Sequence, residues 1–142
     1  MTLIVDDQLL SVVLRGERLP DELNTIGPIF TTGYWYVRLC QASLGVADRP
    51  GALSGPFAVL PPHRREQALA AVLELPDEIG LISLRELAPV IARLRARHHL
   101  NILSIEALAA AVQLSATVAL SARSSRLEAA LAAEGRPVEL VT

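Results

Sequence analysis

The sequence has no lysine, a single cysteine and few aromatic residues. Its 13 fully charged basic residues are all arginines, and 15 acids bring the net charge to −2. A protein that coats nucleic acid carries a surplus of basic residues, so this balance argues against that class, although it is compatible with a local basic patch. Cys40 alone can form neither an internal disulfide nor a cysteine-based zinc site.

The sequence also lacks the run of about 18 uncharged apolar residues that marks a membrane-spanning helix. The longest uncharged run, residues 107–122, is interrupted by polar side chains. No basic segment is followed by an apolar stretch and a small-residue cleavage site, the pattern of a secretory leader. We therefore expect a soluble cytoplasmic protein with no membrane partner. Hydrophobic residues make up 51% of the sequence and aromatics only 4%, so the expected core is aliphatic.

Short apolar segments alternate with helical patterns along the chain. Strands are predicted at residues 3–5, 29–32, 79–82, 117–120 and 138–141. Helices are predicted at residues 8–14, 34–44, 64–75, from 84 onward, 105–114 and 125–134. This alternation predicts one α/β domain over residues 1–142, with helices covering a central, mostly parallel sheet.

Three serines and a proline refine the predicted helices. Ser83 and Ser125 each precede a glutamate by three residues, the spacing of a capping box. Ser104 is expected to cap the apolar helix at residues 105–114, and Pro89 to kink or split the helix that starts at residue 84. Residues 46–62 contain many prolines and glycines, so they are expected to form a long loop.

Acidic residues occur in two apolar regions of the sequence, where burying an unpaired carboxylate would destabilise the fold. Asp6 and Asp7 follow the first predicted strand, and parallel sheets bind ligands beyond the carboxyl ends of their strands. Glu106 is the only charged residue between Asn101 and Arg123, and it lies in the most apolar helix. A buried carboxylate there needs a cation, a metal or a helix N-terminus as partner. The simpler interpretation of Glu106 is a first-turn acid that favours its own helix dipole.

Two segments resemble PIN-domain proteins. "IVDDQLLSVVLRGE" is similar to their opening strand, acid and apolar helix, and "LSIEALAAAVQLSATVALSARSSRLEAALAAEGRPVELV" is similar to their carboxyl-terminal half. The resemblance implies a three-layer α/β/α fold with a central parallel sheet. It also implies ribonuclease activity that depends on Mg²⁺ or Mn²⁺. Many PIN-domain ribonucleases are toxins of bacterial toxin–antitoxin pairs.

The resemblance assigns site positions to particular residues of this sequence. Asp6 and Glu106 stand at two of the four acid positions, whereas Arg38 and Arg123 stand at the other two, and Ser121 keeps a hydroxyl at the last turn. An arginine placed there would supply the charge that a metal supplies, so we expect at least one of these acids to pair with an arginine within about 4 Å. Asp7 is then interpreted as an ordinary helix-start residue that caps the helix or favours its N-terminal dipole.

These departures predict a degenerate PIN-like protein without a cofactor, which regulates by binding a protein partner or RNA. The alternative is an active Mg²⁺- or Mn²⁺-dependent endoribonuclease toxin, with Asp6 and Glu106 as metal ligands and an antitoxin-like partner. A third possibility is a structural subunit of a larger complex. A homodimer is expected, because the segment from residue 34 to 44 is more apolar than one core can cover.

Two further patterns have open interpretations. In "ARLRARHHL", residues 92–100, the basic residues could contact phosphate, but a solvated helix end is the favoured interpretation. The consecutive aromatics Tyr34, Trp35 and Tyr36 cannot all face one core, so at least one should be exposed or lie in an interface.

Overall fold

Five parallel strands form one sheet in a computed structural model of the chain, which describes residues 1–45 and 51–141. Their spatial order is β3-β2-β1-β4-β5, and each neighbouring pair is parallel. The central strand β1 pairs with β2 on one side and with β4 on the other, where Leu3 lies opposite Thr117. The strands are β1 (Leu3–Val5), β2 (Ile29–Thr31), β3 (Ile79–Leu81), β4 (Thr117–Leu120) and β5 (Val138–Leu140).

Helices lie between the strands along the described ranges. They are α1 (Asp7–Leu14), α2 (Asp21–Asn24), α3 (Gly33–Ser43), α4 (Gly55–Ala58), α5 (Pro62–Leu73), α6 (Leu84–Arg95), α7 (Ile102–Leu114) and α8 (Ser125–Ala133). The one-turn helices α2 and α4 were not predicted. Helix α4 lies within the predicted loop at residues 46–62, of which residues 46–50 lie outside the described part. No helix of the described ranges is long and apolar enough to cross a membrane.

The sheet separates two apolar layers, which confirms the predicted α/β fold. Successive side chains of a strand point to opposite faces. Leu3 and Val5 accordingly pack with residues of α1, α3 and α5, whereas Ile4 packs with residues of α6, α7 and α8. Helix α7 is buried continuously from Ile105 to Ala111, as expected for a helix that is apolar on nearly every side.

Of the three predicted serine caps, two are wrong and one is confirmed. Ser83 caps α6, and its hydroxyl accepts a hydrogen bond from the backbone N–H of Arg85. Helix α7 begins one turn earlier than predicted because Asn101, a strong capping residue, accepts from the N–H of Ser104 at 2.9 Å. Helix α8 begins at Ser125, so that residue lies inside the helix and does not cap it. Helix α6 continues through Pro89 as one element.

Candidate functional site

Polar residues follow three neighbouring strands at the carboxyl edge of the sheet. Asp6 follows β1, Thr32 follows β2 and Ser121 follows β4. Because these strands are parallel, their carboxyl ends meet at one edge, which is where such sheets bind ligands. We use the name acid edge for the three carboxylates of this region, Asp6, Asp7 and Glu106, all of which are buried.

Asp6 is the N-cap of α1, and both of its oxygens accept hydrogen bonds from the protein. Its Oδ1 accepts from the N–H of Leu9 at 3.0 Å, and its Oδ2 accepts from the N–H and the hydroxyl of Ser121 at 2.7 and 2.6 Å. The helix starts at Asp7, one residue earlier than predicted, so the Asp6 carboxylate faces the helix N-terminus and the turn after β4. The prediction that an arginine holds Asp6 is therefore wrong.

Asp7 is the acid that has the arginine partner. Its Oδ2 lies 3.3 Å from Nε of Arg38, which is on α3 and is about half exposed. Its Oδ1 accepts from the N–H of Gln8. Burial raises the pKa of Asp7, while the Arg38 charge lowers it and the Asp6 charge raises it, with a net increase. Asp7 is not the capping residue, because Asp6 takes that role, but it is the acid in the first turn of α1, as the dipole interpretation predicts.

Glu106 is fully buried and faces the start of another helix. Its Oε1 accepts a hydrogen bond from the N–H of Tyr34 at 2.8 Å, in the first turn of α3. Its Oε2 has no hydrogen-bond partner among the described residues, and a Cβ added at Gly33 would lie 3.1 Å from it. A helix N-terminus carries free N–H groups and a partial positive charge, both of which stabilise a carboxylate. The partner of Glu106 is therefore a helix N-terminus. It is the N-terminus of α3, and not that of α7, the helix on which Glu106 lies.

Arg123 lies at the start of α8 and turns away from the acid edge. Its Nη2 is 3.2 Å from Oε1 of Glu128, and its side chain is 76% exposed. Glu128 also accepts from the N–H of Ser124, so it reaches back over the turn that carries Arg123. Across residues 1–45 and 51–141, no ion pair joins Asp6 or Glu106 to an arginine. The predicted pairing at this edge is wrong because nearer acids take both arginines.

Two threonines that the sequence analysis overlooked complete the edge. The Thr31 hydroxyl donates to the carbonyl of Val5 at 3.0 Å and ties the end of β2 to that of β1. The Thr32 hydroxyl caps α3 by accepting from the N–H of Trp35. The signal was present in the sequence, because a threonine directly before a helical pattern is a common N-cap.

The acid edge does not form a metal site of the usual kind. Mg²⁺ and Mn²⁺ prefer several oxygen ligands, usually carboxylates that converge from separate elements. In the described part of the chain, no group of three or more histidine, cysteine, aspartate or glutamate side chains is arranged to hold a metal ion. Both oxygens of Asp6 are already used by protein donors. The residues present therefore do not fit the metal that the resemblance implies.

The three consecutive aromatics of α3 have three different surroundings. Trp35 is buried in the core, and the hydroxyl of Tyr36 donates to the carbonyl of Val72 at 2.6 Å. Tyr34 is 37% exposed, which confirms that at least one of them faces outward.

The basic stretch at the end of α6 contacts an acid that the sequence analysis did not single out. Glu134, which follows α8, lies 3.0 Å from Arg97 and 2.7 Å from Nε2 of His98. The hydrogen bonds from these two residues lower the pKa of Glu134. The contacts join the carboxyl-terminal ends of α6 and α8.

Neither a protein-family model nor a curated protein sequence matches this chain. The functional assignment therefore depends on the geometry of the acid edge and of the surfaces around it.

Proposed function

We propose that this chain is a degenerate PIN-like domain that acts by binding a partner and not by metal-dependent cleavage of RNA. The all-parallel sheet with helices on both faces is compatible with that resemblance. The observation that carries the proposal is the use made of the two retained acids. Asp6 and Glu106 accept hydrogen bonds from backbone N–H groups of other elements, so they stabilise the fold.

This use of the acids conflicts with metal catalysis. A catalytic metal must keep an open coordination position at which a water molecule is activated. Coordination by Asp6 would compete with its bonds to Leu9 and Ser121, and Glu106 has no exposed surface. Arg38 adds a positive charge beside this edge, which further disfavours a cation.

The test is cleavage of a labelled RNA by the purified protein, with Mn²⁺ and with EDTA. We expect no Mn²⁺-dependent cleavage and no increase in the melting temperature on addition of Mn²⁺. Arg38→Glu places an acid beside Asp7 at a position that the resemblance assigns, so it is the matched variant that should bind Mn²⁺ more tightly than the wild type. Cleavage by the wild type that Asp6→Ala abolishes would refute the proposal.

The alternative, an active Mg²⁺- or Mn²⁺-dependent endoribonuclease toxin, has one observation in its favour. Glu106 Oε2 and Asp7 Oδ2, the second of which is ion-paired with Arg38, are buried oxygens that accept no hydrogen bond from a described residue, and such oxygens are potential metal ligands. This alternative predicts that Mn²⁺ stabilises the wild type and that Glu106→Gln removes this stabilisation. An antitoxin-like protein partner belongs to the alternative.

We also propose that the chain forms a homodimer through α3. Tyr34, Val37 and Leu44 are 37%, 49% and 52% exposed, and their spacing places them on one side of the helical path. Light scattering at micromolar concentration should give the mass of a dimer, and Val37→Glu should give a monomer. Leu73→Glu is the matched control, since Leu73 is similarly exposed on α5. A monomeric wild type would rule out the dimer.

A further inference from the structure

Two neighbouring surface cavities lie between α8 and the connection from α6 to α7. Residues of that connection and one side of α8 line the first cavity, and the starts of α7 and α8 line the second. Leu100 and Arg126 line both, so the two cavities are adjacent. We use the name basic groove for this surface, after its five basic residues, Arg97, His98, His99, Arg123 and Arg126.

The groove concentrates positive charge in a protein that is acidic overall. Three arginines and two histidines line the two cavities, and no acid lines either cavity within the described part of the chain. Glu134 and Glu128 lie beside the groove, where they pair with Arg97 and Arg123, and Arg126 has no acidic partner among the described residues. A local field of this kind attracts anionic ligands even when the net charge is negative.

The arginines of the groove are available to a ligand. Arg126 is exposed and forms no ion pair with any described residue. Arg97 and Arg123 pair with Glu134 and Glu128, but their side chains are 57% and 76% exposed. The two acids are 17% and 21% exposed, but the arginine of each pair faces solvent, so an incoming anion can compete for its guanidinium group.

The neutral donors of the groove are suited to phosphate. The second cavity is lined by the hydroxyls of Ser104, Ser124 and Ser125 and by Asn101. Asn101 uses its carbonyl oxygen as the cap of α7, which leaves its amide N–H groups free to donate. Arginine, serine and asparagine side chains together with helix N-termini are the groups that contact nucleic-acid phosphates. No aromatic residue lines either cavity among the described residues, so the groove offers no surface on which bases could stack.

We propose that the basic groove binds the phosphate backbone of a nucleic acid without reading its base sequence. This inference rests on the proposed binding function and gives it a surface and a ligand class. It also assigns a role to the "ARLRARHHL" segment, whose residues Arg97, His98 and His99 meet Arg126 across the first cavity. An acidic protein segment is the competing occupant, but the hydroxyls and the two helix N-termini favour phosphate.

The test measures fluorescence anisotropy of labelled RNA oligonucleotides of equal length and different sequence, in EDTA and at several salt concentrations. The variants are Arg126→Ala and Arg123→Ala/Arg126→Ala. Arg18→Ala is the matched control, because it removes the same charge from a residue outside the groove whose side chain is 85% exposed. All three positions are at the surface, so the variants should fold normally.

We expect the wild type to bind all the sequences with similar affinity, and more weakly as salt rises. A plot of the logarithm of the association constant against the logarithm of the salt concentration should have a negative slope. Its magnitude should decrease by about 0.7 for each arginine contact to a phosphate of a single-stranded oligonucleotide that is lost, so Arg123→Ala/Arg126→Ala should show a larger change than Arg126→Ala. Arg18→Ala should bind like the wild type.

Three results would overturn the inference. The first is no binding at low salt, and the second is a weakening in Arg18→Ala as large as in the double variant. The third is displacement of the RNA by a polyglutamate of equal charge at an equal concentration, which would assign the groove to an acidic protein segment. Because binding is measured in EDTA, it is independent of the Mn²⁺ cleavage assay. A protein that cleaves RNA and also binds through the groove refutes only the absence of catalysis.

Discussion

The acid edge and the basic groove are two charged regions built in opposite ways. The carboxylates of the acid edge are buried, and backbone N–H groups that come from distant parts of the chain bind Asp6 and Glu106. The arginines of the groove are exposed, and the ion pairs that two of them form with glutamates face solvent. Acids of the first kind are fixed parts of the fold, whereas arginines of the second kind can exchange partners. Substitutions should therefore affect stability at the edge and binding at the groove.

The largest loss of stability is expected for Asp6→Ala. The change removes the cap of α1 and leaves the N–H of Ser121 without its acceptor, which should lower the free energy of unfolding by roughly 3–5 kcal/mol. Urea denaturation measures this quantity. Ser121→Ala is the comparison, because it removes only the hydroxyl and should cost about 1 kcal/mol. If Asp6→Ala were more stable than the metal-free wild type, and Mn²⁺ stabilised that wild type, Asp6 would be a metal ligand.

Two substitutions of Glu106 should show whether its hydrogen-bond acceptor or its negative charge stabilises the fold. Glu106→Ala leaves the N–H of Tyr34 unpaired and opens a cavity, so it should cost roughly 2–3 kcal/mol. Glu106→Gln keeps an acceptor of the same shape and should remain within about 1 kcal/mol of the wild type. Thermal melts of both variants decide the matter. Equal destabilisation by Ala and Gln would show that the negative charge itself is needed.

Substitution of Asp7 should change the stability of the protein by a smaller amount, and this change should depend on pH. Because its pKa in the folded protein is raised above the ordinary value of 3.8, the folded state binds the proton more tightly than the unfolded state. The contribution of Asp7 to stability therefore decreases as pH rises above that value. We expect Asp7→Asn to melt slightly higher than the wild type at neutral pH, with a difference that shrinks in acid.

Arg38→Gln is the control for this behaviour. It removes the charge that lowers the pKa of Asp7, so the loss of stability with rising pH should become larger. Melting curves that do not depend on pH in this variant would contradict the assignment.

The smallest effect is expected for Glu134→Gln. The pKa of Glu134 is lowered by Arg97 and His98, so its stabilising contribution is present above its ordinary value of 4.5 and is lost as pH falls below it. Because the pair with Arg97 faces solvent, we expect a loss of about 0.5 kcal/mol at neutral pH and none in strong acid.

The sequence was sufficient to predict the strands and the burial of Glu106, because these depend on local apolar patterns. The strands at residues 3–5 and 117–120 have the predicted boundaries. The structure reverses the predicted roles of Asp6 and Asp7: Asp6 caps α1 and Asp7 pairs with an arginine. These roles depend on which residue is the first of α1. When a helix starts one residue earlier, the cap moves with it, and an apolar pattern does not fix a boundary that finely.

The arginine pairings could not be predicted because they depend on tertiary packing. Arg38 lies on α3 and meets Asp7 where α1 and α3 come together. Glu134 meets Arg97 and His98 only because the ends of α6 and α8 lie side by side. The pair of Arg123 with Glu128 could have been predicted more easily, since the two residues are five positions apart at a predicted helix start.

The central position of β1 has a consequence for the way this protein folds during synthesis. Leu3 emerges from the ribosome well before its neighbour Thr117 on β4, which is made 114 residues later. Until then β1 can pair only with β2, and one of its edges stays open. Pairings so distant in sequence are slow to form, and an open apolar edge is prone to join another chain. Nascent chains that end before β4 should therefore depend on chaperones more than the full chain does.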